Sequence, residues 1–276
     1  MKRFVSLLCL LNIATAAQAQ PYPSKPIRIV VPFAAGGPSD ITSRNIAPRM
    51  TELLGAPIVV DNRGGASGMI GAEIVAKAPA DGYTLLGGTA SVTSINMVVF
   101  TKRPYETLRD LQPLTPLMAT STVLVVHPSM PVKTFKEMVA LGRARQDLSM
   151  GSGGPGSILH LALELMNTQT GTKLIHVPFK GAGPAVIDLI SGQINGMFVD
   201  LPVIMPYIRS SRVRAVALAG PKRSTYLPDV PTTAEAGYPG VLVSNVYSLL
   251  LPIKTPREIV MKLHDAAAKT MATPDV

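Results

Sequence analysis

The chain has 276 residues, one cysteine, no tryptophan and a formal net charge of +9. The basic excess is dispersed: no run of five Lys or Arg occurs and aromatics are few, which excludes the usual footprint of a nucleic-acid binder. One cysteine closes no internal disulfide, so the fold must rest on an apolar core, which a chain of this length can bury.

The first nineteen residues read as a cleavable export signal. Lys2 and Arg3 are followed by an apolar stretch over residues 4–17 and by the small-x-small site Ala17-Gln18-Ala19. Cleavage near Ala19 would leave 257 residues, a formal charge of +7 and no cysteine, because Cys9 lies inside the apolar stretch. A mild positive field suits an anionic ligand or an anionic membrane surface. No later apolar run reaches the roughly 18 residues of a membrane span. Residues 241–253 come nearest, interrupted by Ser244, Asn245 and Ser248.

Beyond the signal, strand-like and helix-like segments alternate. Residues 27–32 read as a buried strand, 41–54 as a helix closed by Gly55, and 57–61 as a second strand. Pro48 should kink that helix or split it in two. A Gly-rich loop at 63–68 leads to a helix over 69–78, a turn at 79–82 and a strand at 83–87. The pattern then restarts: strand 123–127, helix 134–145, strand 148–151, the loop "GSGGPGS", helix 158–168, strand 174–178, helix 184–191 and strand 194–199. Strands at 213–219 and 246–251 and a helix over 256–271 complete it. Continuous apolar strands alternating with amphipathic helices predict an α/β fold, with mostly parallel sheets flanked by helices. Two such units predict two lobes around a cleft, with chain crossings near 120–125 and 240–248. The division expected is 20–122 for the first part of lobe one, 123–245 for lobe two and 246–276 for the return to lobe one.

Two loops stand out. In "IVVPFAAGGPSD" a buried strand runs into small residues, Phe33 to Gly37, followed by Ser39 or Asp40 as N-cap candidates. "MGSGGPGSILH" repeats the plan in the second unit. Ligands of open α/β sheets bind beyond the carboxyl ends of strands, where helix N-termini offer N–H groups to anions. Neither loop is a phosphate-binding P-loop or a G-x-G-x-x-G fingerprint. Catalytic options are thin. His127, His160, His176 and His264 are scattered without metal spacing, and each reads as structural. Ser67 and Ser152 do not sit in a nucleophile elbow. Asp40, Asp61 and Asp200 lie at element ends without acid–base pairing. The expectation is a binding protein without enzymatic activity, cofactor or metal.

"YPSKPIRIVVPFAAGGPSD" resembles the opening of the Bug family, the periplasmic solute-binding proteins of tripartite tricarboxylate transporters. "VVDNRGGASGMIGAEIVAKAPADGYTLL", "VPFKGAGPAVIDLISGQI" and "KRSTYLPDVPTTAEAGYPG" carry the same resemblance, which runs from about Tyr22 to the end. It implies a periplasmic location and a two-lobed Venus-flytrap fold like that of other periplasmic binding proteins. It also implies a small organic carboxylate as ligand and delivery to the integral membrane permease subunits of the transporter. A monomer is expected, and an extracytoplasmic sensor that presents the same ligand to a signalling receptor is the alternative. By the same resemblance, Phe33, Ala34, Ala35, Gly36, Gly37 and Asp40 hold a ligand carboxylate. Ser152, Gly153, Gly154, Pro155 and Ser157 face them from lobe two, and Thr89, Ser91, Lys180, Gly181 and Asp200 line the cleft. Pro155, Ile158 and Leu159 stand where the family often has polar residues, which implies a less polar ligand tail. The family continues beyond the position of Val276, so the sequence reads as C-terminally short.

Overall fold

The computed structural model describes residues 21–273; the export signal, Cys9 and the cleavage site lie outside them. Among the described residues nine strands form one sheet, eight of them along a continuous path whose centre is a single long strand. In chain order the strands are β1 (Ile27–Val31), β2 (Ile58–Asn62), β3 (Thr84–Thr89), β4 (Leu111–Val126), β5 (Ser149–Ser152), β6 (Ile175–Pro178), β7 (Gly196–Asp200), β8 (Arg214–Leu218) and β9 (Ser244–Pro252). Their order is β2-β1-β3-β9-β4-β7-β5-β6, with β8 also on β4.

The outer strands pair parallel, as continuous apolar runs such as the Ile27–Val31 segment require. Every pairing of β4 and β9 is antiparallel, which qualifies the expectation of mostly parallel sheets. The reason lies in β4 itself. Residues 111–121 pair with β9, and from Thr122 onward β4 pairs with β7 and β8 instead. The sequence betrays only the second half of this strand. Pro113 and Pro116 lack the N–H a ladder needs, and the register against β9 shifts next to both.

The helices are α1 (Pro38–Leu54), α2 (Met69–Ala76), α3 (Asn96–Val99, continuing a π-turn over Ser91–Ile95), α4 (Thr107–Asp110), α5 (Phe135–Ala144), α6 (Ile158–Thr170), α7 (Ala182–Ile190), α8 (Leu201–Arg209) and α9 (Arg257–Met271). In the first half of the sheet, Ile46, Met50 and Leu54 of α1 and Leu263, Ala266 and Ala267 of α9 pack on one face. Ala72 and Val75 of α2 cover the other. In the second half, α5 and α6 bring Phe135, Met138, Leu163 and Met166 to one face. Ala185, Leu189, Val203 and Ile204 of α7 and α8 bury the opposite one.

Three local expectations need correction or are met. Pro48 does not split α1, which runs as one element of 17 residues. Pro48 is exposed, so the carbonyl it leaves unpaired faces water. Neither Ser39 nor Asp40 is the N-cap; Gly37 is, with Pro38 in the first helical position. Gly55 ends the helix at φ 71°, a left-handed conformation that glycine adopts without penalty. Helix α5 opens with a reciprocal capping box, in which Thr134 Oγ1 accepts from Glu137 N and Glu137 Oε2 accepts from Thr134 N. Thr134→Ala should therefore lower stability by about 1 kcal/mol, read from the midpoint of urea denaturation.

Candidate functional site

Both glycine loops lie at the carboxyl ends of their strands and face each other across the line where β4 changes partners. The first, residues 33–37, is rigidified from behind. Gly36 N donates to Asp40 Oδ2 at 3.0 Å, and Arg44 Nε donates to Asp40 Oδ1 at 2.9 Å. Arg44 also reaches Asn62 Oδ1, and Asn62 Nδ2 donates to Phe33 O at 3.1 Å. Burial works against the Asp40 charge, but the Arg44 guanidinium and the Gly36 N–H win and hold its carboxyl below the usual range.

The second loop, residues 152–157, is braced by two histidines. Ser152 Oγ accepts from Gly154 N at 3.0 Å and lies 2.5 Å from His176 Nε2. Gly156 N donates to His160 Nδ1 at 3.0 Å, and the two imidazoles stack with centroids 3.8 Å apart. Burial pulls His176 down to about 4, and His160 adds to the effect, so His176 is neutral at physiological pH. Gly154 at φ 116° and Gly156 at φ 77° take conformations closed to side chains. Ser157 caps α6 by accepting from His160 N.

The loops meet across the cleft. Ala34 N donates to Lys180 O at 3.0 Å, Ile158 N donates to Ser91 Oγ at 3.1 Å, and Ser67 Oγ donates to Pro155 O. Behind these contacts lies a small recess of about 30 Å³, room for one or two water molecules. Three helices of eight or more residues begin at its wall: α1 at Pro38 and Ser39, α6 at Ile158 and Leu159, α7 at Ala182. First-turn N–H groups have no acceptor within their own helix, and each helix end carries roughly half a positive charge. Three such ends at one point make an electropositive centre without a lysine or arginine in the wall.

The far side of the space is polar in a different sense. Asp200 at the end of β7, Asn245 and Tyr247 of β9, and Thr89 at the end of β3 line it. Tyr247 Oη donates to Asp200 Oδ2 at 2.7 Å. Asn245 Nδ2 donates to Tyr247 Oη at 2.6 Å and approaches Asp200 Oδ2 at 3.4 Å. Asp200 is wholly buried, and desolvation pushes its carboxyl up to about 6 although both donors favour the charged form.

Of the residues singled out from the sequence, Phe33, Thr89, Ser91, Gly153, Ser157 and Asp200 line this space. Gly154, Pro155 and Lys180 instead line an outer concavity of about 500 Å³ that shares Phe33 and Gly153 with the inner one. Ala34 and Gly181 belong to the closing contact, and Ala35, Gly36 and Gly37 pack against the start of α7. Asp40 and Ser152 point away, into the bracing networks. Asn245 and Tyr247 were not among the residues expected to line the cleft. The available signal was the alternation in β9, which puts a buried Asn two residues before a buried Tyr on the face that carries Leu249.

Among the described residues no three His, Cys, Asp or Glu gather as a metal site, and no helix is long and apolar enough to cross a membrane. Residues 42–276 match the family described as "Tripartite tricarboxylate transporter family receptor". Protein BugT of Bordetella pertussis is 36% identical over 255 residues, 92% of this chain and 78% of the relative. MatC of Rhodopseudomonas palustris, solved with bound malate, is 33% identical at a TM-score of 0.89, covering 92% of this chain and 87% of the other. A second Rhodopseudomonas palustris protein, solved with adipate, is 35% identical at a TM-score of 0.88, with 92% and 85% covered.

Proposed function

Because the chain belongs to the tripartite tricarboxylate transporter receptor family, a family of periplasmic solute-binding proteins and not of enzymes, we propose that it captures a small organic carboxylate in the cleft between the glycine loops and delivers it to the transporter's membrane permease. The observation that carries this reading is the convergence of the α1, α6 and α7 N-termini on one small recess. Charge-assisted hydrogen bonds from such N–H groups contribute roughly 1.5–3 kcal/mol each. A few of them reach the ~8 kcal/mol of micromolar binding. Two relatives solved with dicarboxylates, malate and adipate, support the ligand class.

In this reading the lobes are residues 20–122 with 246–276, and residues 123–245, separating to admit the ligand. Support for the division comes from the change of partners after Ser121 in β4 and from Val243, whose N–H bonds Ala219 O just before β9 begins. At about 30 Å³ the recess is far smaller than a dicarboxylate, so entry requires the loop contacts to part.

Thermal unfolding of the mature chain with a panel of carboxylates tests the reading. A ligand at 100 times its Kd adds about 2.7 kcal/mol, which for a chain of this size raises Tm by roughly 5–10 °C. A folded sample that no carboxylate stabilises would sink it.

A further inference from the structure

The electropositive end of the cleft explains an acid; it does not explain Asp200. A ligand that was carboxylate throughout would find, on the far side of the space, a buried carboxylate of its own sign. Both side-chain donors in reach, Tyr247 Oη and Asn245 Nδ2, serve the same oxygen, Oδ2. Asp200 Oδ1 has no hydrogen-bond partner, and neither does Asn245 Oδ1. Thr89 Oγ1 is also unpartnered. All three residues are at least 97% buried, and all three line the same recess.

Buried acceptors without donors are rare in folded proteins, because each carries its full desolvation cost. The Asn245 amide is fixed in this orientation: its Nδ2 faces the Asp200 carboxylate and the Tyr247 hydroxyl, so its oxygen is the atom turned away. Two acceptors therefore stand together, with a threonine hydroxyl that donates or accepts as required. No donor of the wall lies within hydrogen-bond distance of either oxygen, and in the carboxylate-binding reading the ligand enters the same space.

We infer that the Asp200–Asn245 pair is a donor-selecting subsite, and that the ligand is an organic acid that also carries a hydroxyl or ammonium group, its carboxylate on the helix N-termini and its donor on Asp200 Oδ1 and Asn245 Oδ1. This rests on the carboxylate-binding reading above and narrows it. A hydroxyl donates one hydrogen bond and accepts another from Thr89. An ammonium donates up to three and pairs with the carboxylate charge.

Isothermal titration of the mature protein at about pH 7.5, where a free carboxyl is ionised, against matched acids of equal carbon skeleton separates the cases. The sets are succinate, malate and aspartate, then glutarate, 2-hydroxyglutarate and glutamate, then adipate and 2-aminoadipate. In at least one set the hydroxy or amino acid should bind about tenfold or more tightly than the plain diacid, as one charge-assisted hydrogen bond requires. The preference between hydroxyl and ammonium identifies which donor the pair takes. Asp200→Asn should erase the preference and leave the plain diacid bound as well as before or better, since the like charge is gone. Plain diacids binding as tightly as their donor-bearing partners would overturn the inference and leave the carboxylate reading standing. A preference that survives in Asp200→Asn would overturn the role of Asp200. If no acid of any set binds, both readings fall together. Should Asp200→Asn not fold, the wild-type ranking still decides.

Discussion

Gly183→Ala should abolish tight carboxylate binding while leaving the protein folded. Gly183 is the second residue of α7, and a Cβ there would lie 2.2 Å from Ala35 O and 3.1 Å from the Gly36 carbonyl carbon, both backbone atoms of the facing loop. Backbone cannot rotate aside as a side chain can, so the two loops must separate by more than an ångström. The Ala34–Lys180 hydrogen bond lies beside this contact and should be lost with it, and the Ile158–Ser91 bond between the same two halves of the cleft should weaken. Within its own helix the same substitution is favourable by up to ~1 kcal/mol, because alanine has the higher helix propensity. Stability and affinity should respond unequally. Without ligand the protein should stay folded, with a stability loss limited to about 1–3 kcal/mol for the two loop hydrogen bonds, whereas affinity should fall at least tenfold, since contacts made only on closure are worth several charge-assisted hydrogen bonds. Titration calorimetry and small-angle scattering measure the two sides; an unchanged affinity would mean that the closed arrangement is not the binding form.

Asp200→Asn should change the pH dependence of stability. Desolvation raises the Asp200 carboxyl from an ordinary 3.8 to about 6 in the native protein. A carboxyl raised on folding binds its proton more tightly in the native state. Its contribution is therefore full below about pH 4 and is lost as pH rises through about 6, leaving the native state about 3 kcal/mol poorer above that range. Asparagine has no proton to lose. The variant should equal wild type within error near pH 4 and exceed it by up to about 3 kcal/mol at pH 7.5, measured by urea denaturation across that range. Asp40, Asp110 and Glu235, held low by their partners, act in the opposite direction in both proteins and cancel in the difference. A difference that does not vary with pH would show that Asp200 keeps the same proton occupancy folded and unfolded.

The two substitutions address separate halves of the cleft. Gly183 governs whether the loops can meet; Asp200 governs what the far wall accepts. A protein in which the first weakens every acid equally and the second reorders the acids would have its closure and its selectivity carried by different residues.

The two glycine loops were legible because their signal is local. A buried strand that runs into Ala-Ala-Gly-Gly-Pro or Gly-Ser-Gly-Gly-Pro-Gly, with a helix behind it, fixes where a backbone turns sharply and where a helix begins. Helix ends such as Gly55 and the capping box at Thr134 and Glu137 are equally short-range. The first half of β4 was not legible, because Pro113 and Pro116 argue against a strand and only pairing with β9 overrides them. Helix α8 was missed for a similar reason: Pro202 stands in its first turn and Pro206 inside it, while Val203 and Ile204 secure it by burial against the sheet.

By itself the sequence determined the α/β plan, the two small-residue loops, the absence of catalytic or metal-ligand spacing, and a family resemblance that the matching region bears out. Each of these depends on residues within a few positions of one another. Tertiary structure alone decided which of those residues face the cleft and which brace it. It set Asp40 and Ser152 to hold the loops from behind, and it brought Asp200 to Asn245 and Tyr247, 45 and 47 positions away, by pairing β4 with β7 on one side and β9 on the other. A hydrogen bond across that distance is set by strand register, and register is a property of the packed sheet that no short window of sequence contains.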